Sequence, residues 1–312
     1  MDTDLNSKSR QGTVLAELHD ATKTFGSRGE PVHAVAGVDL TVRAGELLAI
    51  LGPNGAGKTT TLNMMTGLSK PTSGSARLFG GDPRDLEARQ RMGVMLQASG
   101  VPDTLRVGEL LTAFSGYYPA PLPLEAIIEG AGLHGLEKRQ FGALSGGQQR
   151  RVLFGIALSG DPDLLFVDEP TTGLDAEVRR ALWATLRDLA DSGRGVVLTT
   201  HYLEEADALA DRIIVLSQGR IIADGTPDQV KSLVPGRRIS AESSVTAEQA
   251  AHWPAVHHAV HDGTRLELLV SEAEPVVRRL LAQDPFLAGL TVTEPTLEDA
   301  FLTLTTSAKE SA

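Results

Sequence analysis

Apolar positions along the chain come in short runs separated by glycine, proline and charge. Leu164-Leu165-Phe166-Val167 is continuous, the pattern of a strand covered on both faces of a parallel sheet. Glu46 to Leu51 reads the same way and runs straight into a glycine-rich loop. Val14 to Leu18 and Val38 to Val42 alternate or cluster as strands do. Met92 to Leu96, Gly195 to Thr199, Ile213 to Leu216 and Arg220 to Ala223 are further strands, the last two joined by a turn at Gln218-Gly219. Between them the period lengthens. A helix is expected from about Lys58, another over Ala176 to Ala190 with Leu182, Leu186 and Leu189 on one face, and a short one over Leu203 to Leu209. From 98 to about 160 the pattern is mostly helical, interrupted by Pro119, Pro121 and Pro123.

Strands alternating with helices predict an α/β fold, a mainly parallel sheet with helices on both faces. Residues 1–12 are polar and read as a disordered tail. Residues 13–235 form the main domain, with a helical subdomain at about 98–160. After Pro235-Gly236 the character changes. Strands at Arg265 to Val270 and Ala288 to Thr293, with helices at Ala273 to Leu281 and Pro295 to Thr303, predict a small α/β accessory domain over 236–312. No internal repeat and no heptad pattern is present.

Composition narrows the classes. The chain has 312 residues, 41% of them hydrophobic, enough for a sizeable core. It has no cysteine, so disulfides and thiolate metal sites are excluded. A net charge of -11 argues against a nucleic-acid backbone as partner. Met1-Asp2-Thr3-Asp4 is acidic and no apolar stretch follows it, so no signal peptide is expected. No apolar run approaches the roughly 18 residues that cross a bilayer.

Chemistry is concentrated in three motifs. Gly52-Pro53-Asn54-Gly55-Ala56-Gly57-Lys58-Thr59-Thr60 matches the Walker A pattern between a strand and a helix. Its glycines permit turns that a side chain would block, so backbone N–H groups can cradle a phosphate at a helix N-terminus. Lys58 is expected to reach the β- and γ-phosphates, and the Thr59 hydroxyl to ligate Mg²⁺. Asp168-Glu169 ends the apolar strand. Because successive strand residues point opposite ways, Asp168 is assigned to Mg²⁺ and Glu169 to polarising the attacking water. Between them lies Leu144-Ser145-Gly146-Gly147-Gln148. Here a serine cap and two bare glycines open a helix and expose N–H groups to an anion.

In this order the three motifs resemble the ATP-binding subunits of ABC transporters, and the resemblance covers about Val14 to Leu233. It implies a P-loop NTPase fold with a mainly parallel sheet, an antiparallel β subdomain and a helical subdomain. It also implies two ATPase subunits paired head to tail, with each ATP between Walker A of one copy and Ser145-Gly146-Gly147 with Gln148 of the other. By resemblance, Gln97 senses the γ-phosphate and Mg²⁺, Asp175 marks the dimer seam, and His201 is the switch histidine at the γ-phosphate. Phe25 takes the place where the family stacks an aromatic on adenine, and phenylalanine keeps that π face.

A narrower likeness comes from Thr200-His201-Tyr202-Leu203-Glu204-Glu205-Ala206, Ala223-Asp224-Gly225-Thr226-Pro227 and Thr296-Leu297-Glu298-Asp299-Ala300-Phe301. They are similar to the branch containing daunorubicin-resistance-type drug exporters. That branch implies ATP hydrolysis coupled to transport, a separate transmembrane permease, a homodimer as the simplest pairing, and a peripheral place on the cytoplasmic face of the cell membrane. The other class the motifs allow is a soluble ABC ATPase acting on ribosomes or nucleic acid.

Other features carry less. His252, His257, His258 and His261 do not match a ligand spacing and have no cysteine beside them. Arg150-Arg151 reads as a helix-surface or interface pair, Trp183 as core, and Tyr117-Tyr118 as packing inside the helical subdomain.

Overall fold

The computed structural model describes residues 12–26, 31–96, 100–234 and 236–310. The expected tail, apart from Gly12, lies outside the described residues, and so does Gln97. The chain forms two compact units, one up to Asp224 and one from Gly225.

In the first unit, β1 (Val14–Phe25) pairs antiparallel with β2 (Val32–Arg43) on one side and β4 (Ser73–Leu78) on the other. The larger sheet has six strands. They are β3 (Leu47–Leu51), β5 (Met92–Met95), β6 (Leu164–Asp168), β7 (Gly195–Thr199), β8 (Arg212–Ser217) and β9 (Arg220–Gly225), in the order β5-β6-β7-β3-β8-β9. The pairs β5/β6, β6/β7, β7/β3 and β3/β8 are parallel. Every residue of β3, β6 and β7 is buried, which is why their sequences are unbroken apolar runs. The carboxyl ends of these three strands therefore open on one edge of the sheet, where ligands bind in open α/β sheets.

The helices of this unit are α1 (Lys58–Met65), α2 (Leu86–Gln90), α3 (Val107–Ser115), α4 (Leu124–Gly130), α5 (Gly146–Leu158), α6 (Ala176–Asp191) and α7 (Leu203–Leu209). Helices α3, α4 and α5, with a 3-10 turn at Phe141–Ala143, fill the stretch expected to be helical. Leu110, Leu111, Ile127, Val152 and Phe154 close their core. Tyr118 is half-buried and covers Gly160, where a Cβ would lie 2.3 Å from its ring. Tyr117 is 73% exposed and corrects the expectation that both tyrosines pack inside.

Strand β4 and helix α2 were not legible in the sequence. Both are short, β4 is mostly exposed, and Leu86 of α2 is 70% exposed, so neither carries a periodic apolar signal. Strands β1 and β2 outrun their apolar stretches, since their far ends hold half-buried Lys23 and Thr24 and exposed His33 in the ladder.

The second unit begins with α8 (Pro227–Ser232), followed by β10 (Arg237–Glu242), α9 (Ala247–Ala251), β11 (Val256–Asp262), β12 (Arg265–Val270), α10 (Ala273–Gln283), β13 (Ala288–Thr293) and α11 (Leu297–Glu310). The strands form an antiparallel sheet in the order β11-β12-β10-β13. Ile239, Trp253, Leu266, Leu268, Val276 and Leu280 form its core. The division falls ahead of Pro235-Gly236 because α8 packs with α11 and belongs to this unit. The last helix starts at Leu297 and not at Pro295. Thr296 is its cap: the Asp299 amide donates to the Thr296 hydroxyl at 3.2 Å, and Asp299 accepts from the Thr296 amide at 2.8 Å. Arg238 holds the same carboxylate at 2.9 Å.

One glycine ties the helical subdomain to the sheet. A Cβ on Gly93 of β5 would fall 2.1 Å from the carbonyl oxygen of Ala157 on α5. Gly93→Ala is expected to destabilise the protein by about 2 kcal/mol or more, the cost of overpacking a closed contact. Thermal unfolding measures this, and an unchanged Tm would show that the contact relaxes freely.

Candidate active site

The glycine-rich loop leaves β3 and is held by two close backbone approaches. A Cβ on Gly52 would lie 2.5 Å from the Leu216 carbonyl oxygen at the end of β8. At Gly57, φ is +104° and a Cβ would lie 2.4 Å from the Ala34 carbonyl oxygen of β2. No other residue type fits either place without moving the backbone. Ala36 also donates to the Gly219 carbonyl at 2.8 Å, which pins β2 against the turn after β8.

Helix α1 starts at Lys58 with no side-chain cap and no acidic residue in its first turn. Its amide groups are thus available to an anion. Lys58 is 8% exposed, and its Nζ donates to the carbonyls of Gly52 at 2.6 Å and Pro53 at 3.2 Å. Burial pulls its pKa below the usual lysine value, against the opposing charges of Glu169 and Asp168. A desolvated cation inside a ring of amide donors suits a polyphosphate. Asn54 and Gly55 are exposed at the rim, with Pro53 and Thr60 half-buried beside them and Ala56 buried.

The end of strand β6, Asp168-Glu169, is the Walker B element, and it meets Walker A at one hydrogen bond, the Thr59 hydroxyl donating to Asp168 Oδ2 at 3.3 Å. Asp168 is 2% exposed and also accepts from the Thr199 hydroxyl of β7. An exposed hydroxyl beside a buried carboxylate is an oxygen donor set of the kind a hard divalent cation takes. Gln97, the third residue expected at the metal, is outside the described residues.

Glu169 departs from the strand geometry used to assign it. Strand β6 ends at Asp168, and Glu169 has φ +49°, in the left-handed region. Alternation along a strand therefore does not set its direction. Hydrogen bonds hold the turn from both sides. The Glu169 amide donates to the Thr199 carbonyl at 3.0 Å and to the Thr199 hydroxyl at 3.2 Å. The Glu169 carbonyl accepts from Arg150 Nη1 at 2.7 Å. The result aims the carboxylate at His201, with Nδ1 3.3 Å from Glu169 Oε1. The Tyr202 ring lies 4.1 Å from the His201 ring, centroid to centroid.

The third motif opens α5 with a complete capping box. The Gln148 amide donates to Ser145 Oγ at 3.3 Å, and Gln148 Oε1 accepts from the Ser145 amide at 3.1 Å. Ser145, Gly146, Gly147 and Gln148 line a pocket of about 380 Å³ together with Gly173, Leu174 and Asp175. Asp175 caps α6 by accepting from the Val178 amide at 2.9 Å. No residue of the glycine-rich loop lines this pocket.

Phe25 is 47% exposed at the end of β1, with Lys23 Nζ 5.2 Å from its ring centroid. A core role is excluded and a face is available for stacking. Trp183, expected in the core, is only partly buried, and its Nε1 donates to Glu205 Oε1 at 2.9 Å. Arg150 reaches the Glu169 carbonyl, a role invisible in sequence because it depends on a backbone acceptor. Thr199 reads in the sequence only as the end of a strand, yet its hydroxyl serves both Walker B residues. Among the described residues no group of three or more metal-binding side chains forms. His252 Nδ1 is paired with the Glu248 carbonyl and His261 Nε2 with the Val245 carbonyl.

Gly57→Ala is expected to lower ATP affinity at least about tenfold, since a left-handed φ and a backbone clash both forbid the side chain. Titration with a fluorescent ATP analogue measures it, and wild-type affinity would show that the loop tolerates a Cβ.

Comparison with known proteins places this geometry. The sequence profile described as "ABC transporter" matches residues 35–172. The chain is 37% identical to Nod factor export ATP-binding protein I of Burkholderia lata over 93% of its own length and 96% of that protein's. It is 38% identical to the daunorubicin/doxorubicin resistance ATP-binding protein of Streptomyces peucetius over 87% and 88% of the two chains. A bacterial ABC transporter cassette solved as a dimer matches with TM-score 0.62 and 28% identity, covering 68% of this chain and 98% of that one. A dimeric cassette in a post-hydrolysis state with ADP and phosphate matches with TM-score 0.63, also at 28% identity. The chain belongs to the ABC transporter family as an ATP-hydrolysing cassette, in the branch that holds the Nod factor export and daunorubicin-resistance ATP-binding proteins.

Proposed function

We propose that the chain is the ATPase subunit of a membrane exporter, works as a pair, and drives a separate permease from the cytosolic face. The observation that carries the hydrolytic part is the meeting of Lys58, Thr59, Asp168, Glu169 and His201 at the carboxyl ends of β3, β6 and β7. The export part is supported by relatives that cover nearly the full chain and are named for export or drug resistance. The pairing is supported by the dimeric cassettes it resembles. No helix among the described residues is long and apolar enough to cross a membrane.

In this reading Gly52 to Thr60 hold the phosphates of ATP, Phe25 stacks on adenine, and Ser145 to Gln148 with Asp175 face the nucleotide of the partner copy. Mg²⁺, held by Thr59, Asp168 and Gln97, would neutralise charge on the phosphates. Glu169 accepts a hydrogen bond from the attacking water. The water oxygen bonds to the terminal phosphorus, and the bond from that phosphorus to the bridging oxygen breaks. ADP leaves with the electron pair, and the water protons pass to phosphate and solvent. His201, in contact with Glu169, orients the carboxylate and the γ-phosphate. ATP favours the closed pair and hydrolysis reopens it, so differential affinity becomes motion. The motion reaches the permease through residues 97–111. An open pocket of about 570 Å³ beside α3, lined by Arg106, Glu109, Thr112 and Lys138, supports that route.

Glu169→Gln is expected to bind ATP within about threefold of wild type while phosphate release falls at least about a hundredfold. The same variant is expected to elute as a dimer when ATP is present. Turnover at the wild-type rate would remove Glu169 from its role. Purification from native membranes is expected to recover a polytopic permease without its own ATPase domain. Ribosomal proteins with no membrane protein would overturn the transport reading.

A further inference from the structure

Glu205 is fully buried on α7, and the hydrolytic chemistry does not use it. Its carboxylate accepts from two separate segments, and its own amide ties it to a third. Oε1 accepts from Trp183 Nε1 at 2.9 Å, and Oε2 accepts from the Thr171 hydroxyl at 3.3 Å. The Glu205 amide donates to the Tyr202 carbonyl at 3.1 Å, which joins it to the turn after His201. Thr171 follows Glu169 and Pro170 in the chain, and Thr200 immediately precedes His201. Trp183 lies on α6, the helix that Asp175 caps.

The arrangement brackets the reacting pair. The Thr200 hydroxyl accepts from the Tyr202 amide at 2.9 Å and the Tyr202 carbonyl accepts from the Glu205 amide, so the backbone is fixed on both sides of His201. Beyond the bond from the Glu169 amide to the Thr199 carbonyl, no further ladder pair joins the two strands. The Glu169 turn and the His201 turn then continue in different directions, and Glu205 is the group both return to. A carboxylate suits this position because its two oxygens accept from several donors at once. Burial pushes its pKa up, opposed by the bonds from Thr200, Trp183 and Thr171 and by the charge of Arg179. An apolar side chain would fill the same space without that opposition but could tie nothing together.

We propose that Glu205 is a positioning residue for ATP hydrolysis, fixing the spacing of Glu169 and His201 and joining both to the helix that starts at Asp175. This rests on Glu169 and His201 being the hydrolytic pair.

The test is steady-state ATPase activity and equilibrium ATP binding of the full chain in Glu205→Ala, Glu205→Gln and Thr171→Val. Glu205→Ala is expected to lower kcat at least about tenfold while ATP affinity stays within about threefold, because binding groups are untouched and only the geometry of the reaction is loosened. Glu205→Gln is expected to recover most of kcat, since its carbonyl accepts from Trp183 and its amide donates to a threonine oxygen. Thr171→Val, close in volume but without the hydroxyl, is expected to lower kcat several-fold and to add little in the Glu205→Ala background. Wild-type kcat in Glu205→Ala would overturn the inference, as would a loss of kcat matched by an equal loss of ATP affinity. If Glu205→Ala does not fold, Thr171→Val decides, and wild-type kcat in it overturns the inference. Glu169→Gln is measured alongside. Activity in that variant sinks the assignment of the pair, whereas an inactive Glu169→Gln beside a fully active Glu205→Ala sinks only the positioning role.

Discussion

The nucleotide loop depends on two places where backbone meets backbone with no side chain between. Gly52 lies against the Leu216 carbonyl and Gly57 against the Ala34 carbonyl. These approaches fix the path by which β3 passes into α1, and so the place of Lys58 and Thr59. Because β3 is central and buried, with β7 and β8 on either side, the loop inherits the rigidity of the sheet. Asp168 then needs only its own strand and a hydroxyl from β7 to reach Thr59. The site is thus set by strand order as much as by motif.

What was legible in the sequence was what burial writes into it. β6, β7 and β12 were found within a residue because both faces, or one whole face, must be apolar. Strands β4, β10 and β11 escaped because each is an outer or half-exposed strand, or one whose inner face is small. Thr296 and Asp299 carry the cap spacing of the last helix, and the proline that precedes them stands just outside it. The motif residues were legible by type and spacing. Their partners were not, since Arg150 and Thr199 act through backbone groups and neighbouring strands that no linear pattern shows.

Glu169 shows why a correct residue can come with an incomplete reason. Strand alternation separates Asp168 from Glu169 on paper, but the chain leaves the strand between them. A left-handed turn at a residue with a side chain is held by over-determination, here by Thr199 on one side and Arg150 on the other. Since Arg150 belongs to α5, the helix opened by Ser145, the backbone of Walker B is bonded to the helix that faces the partner subunit's nucleotide in the proposed pair.

Gly93 against the Ala157 carbonyl has a mechanical side as well as an energetic one. Side chains between two elements have rotamers, and rotamers absorb displacement. A backbone-to-backbone contact has none, so strain crosses it undamped. Strand β5 and helix α5 therefore behave as one stiff lever. One end of it is the strand that runs toward Gln97, and the other is the helix that begins at Ser145-Gly146-Gly147.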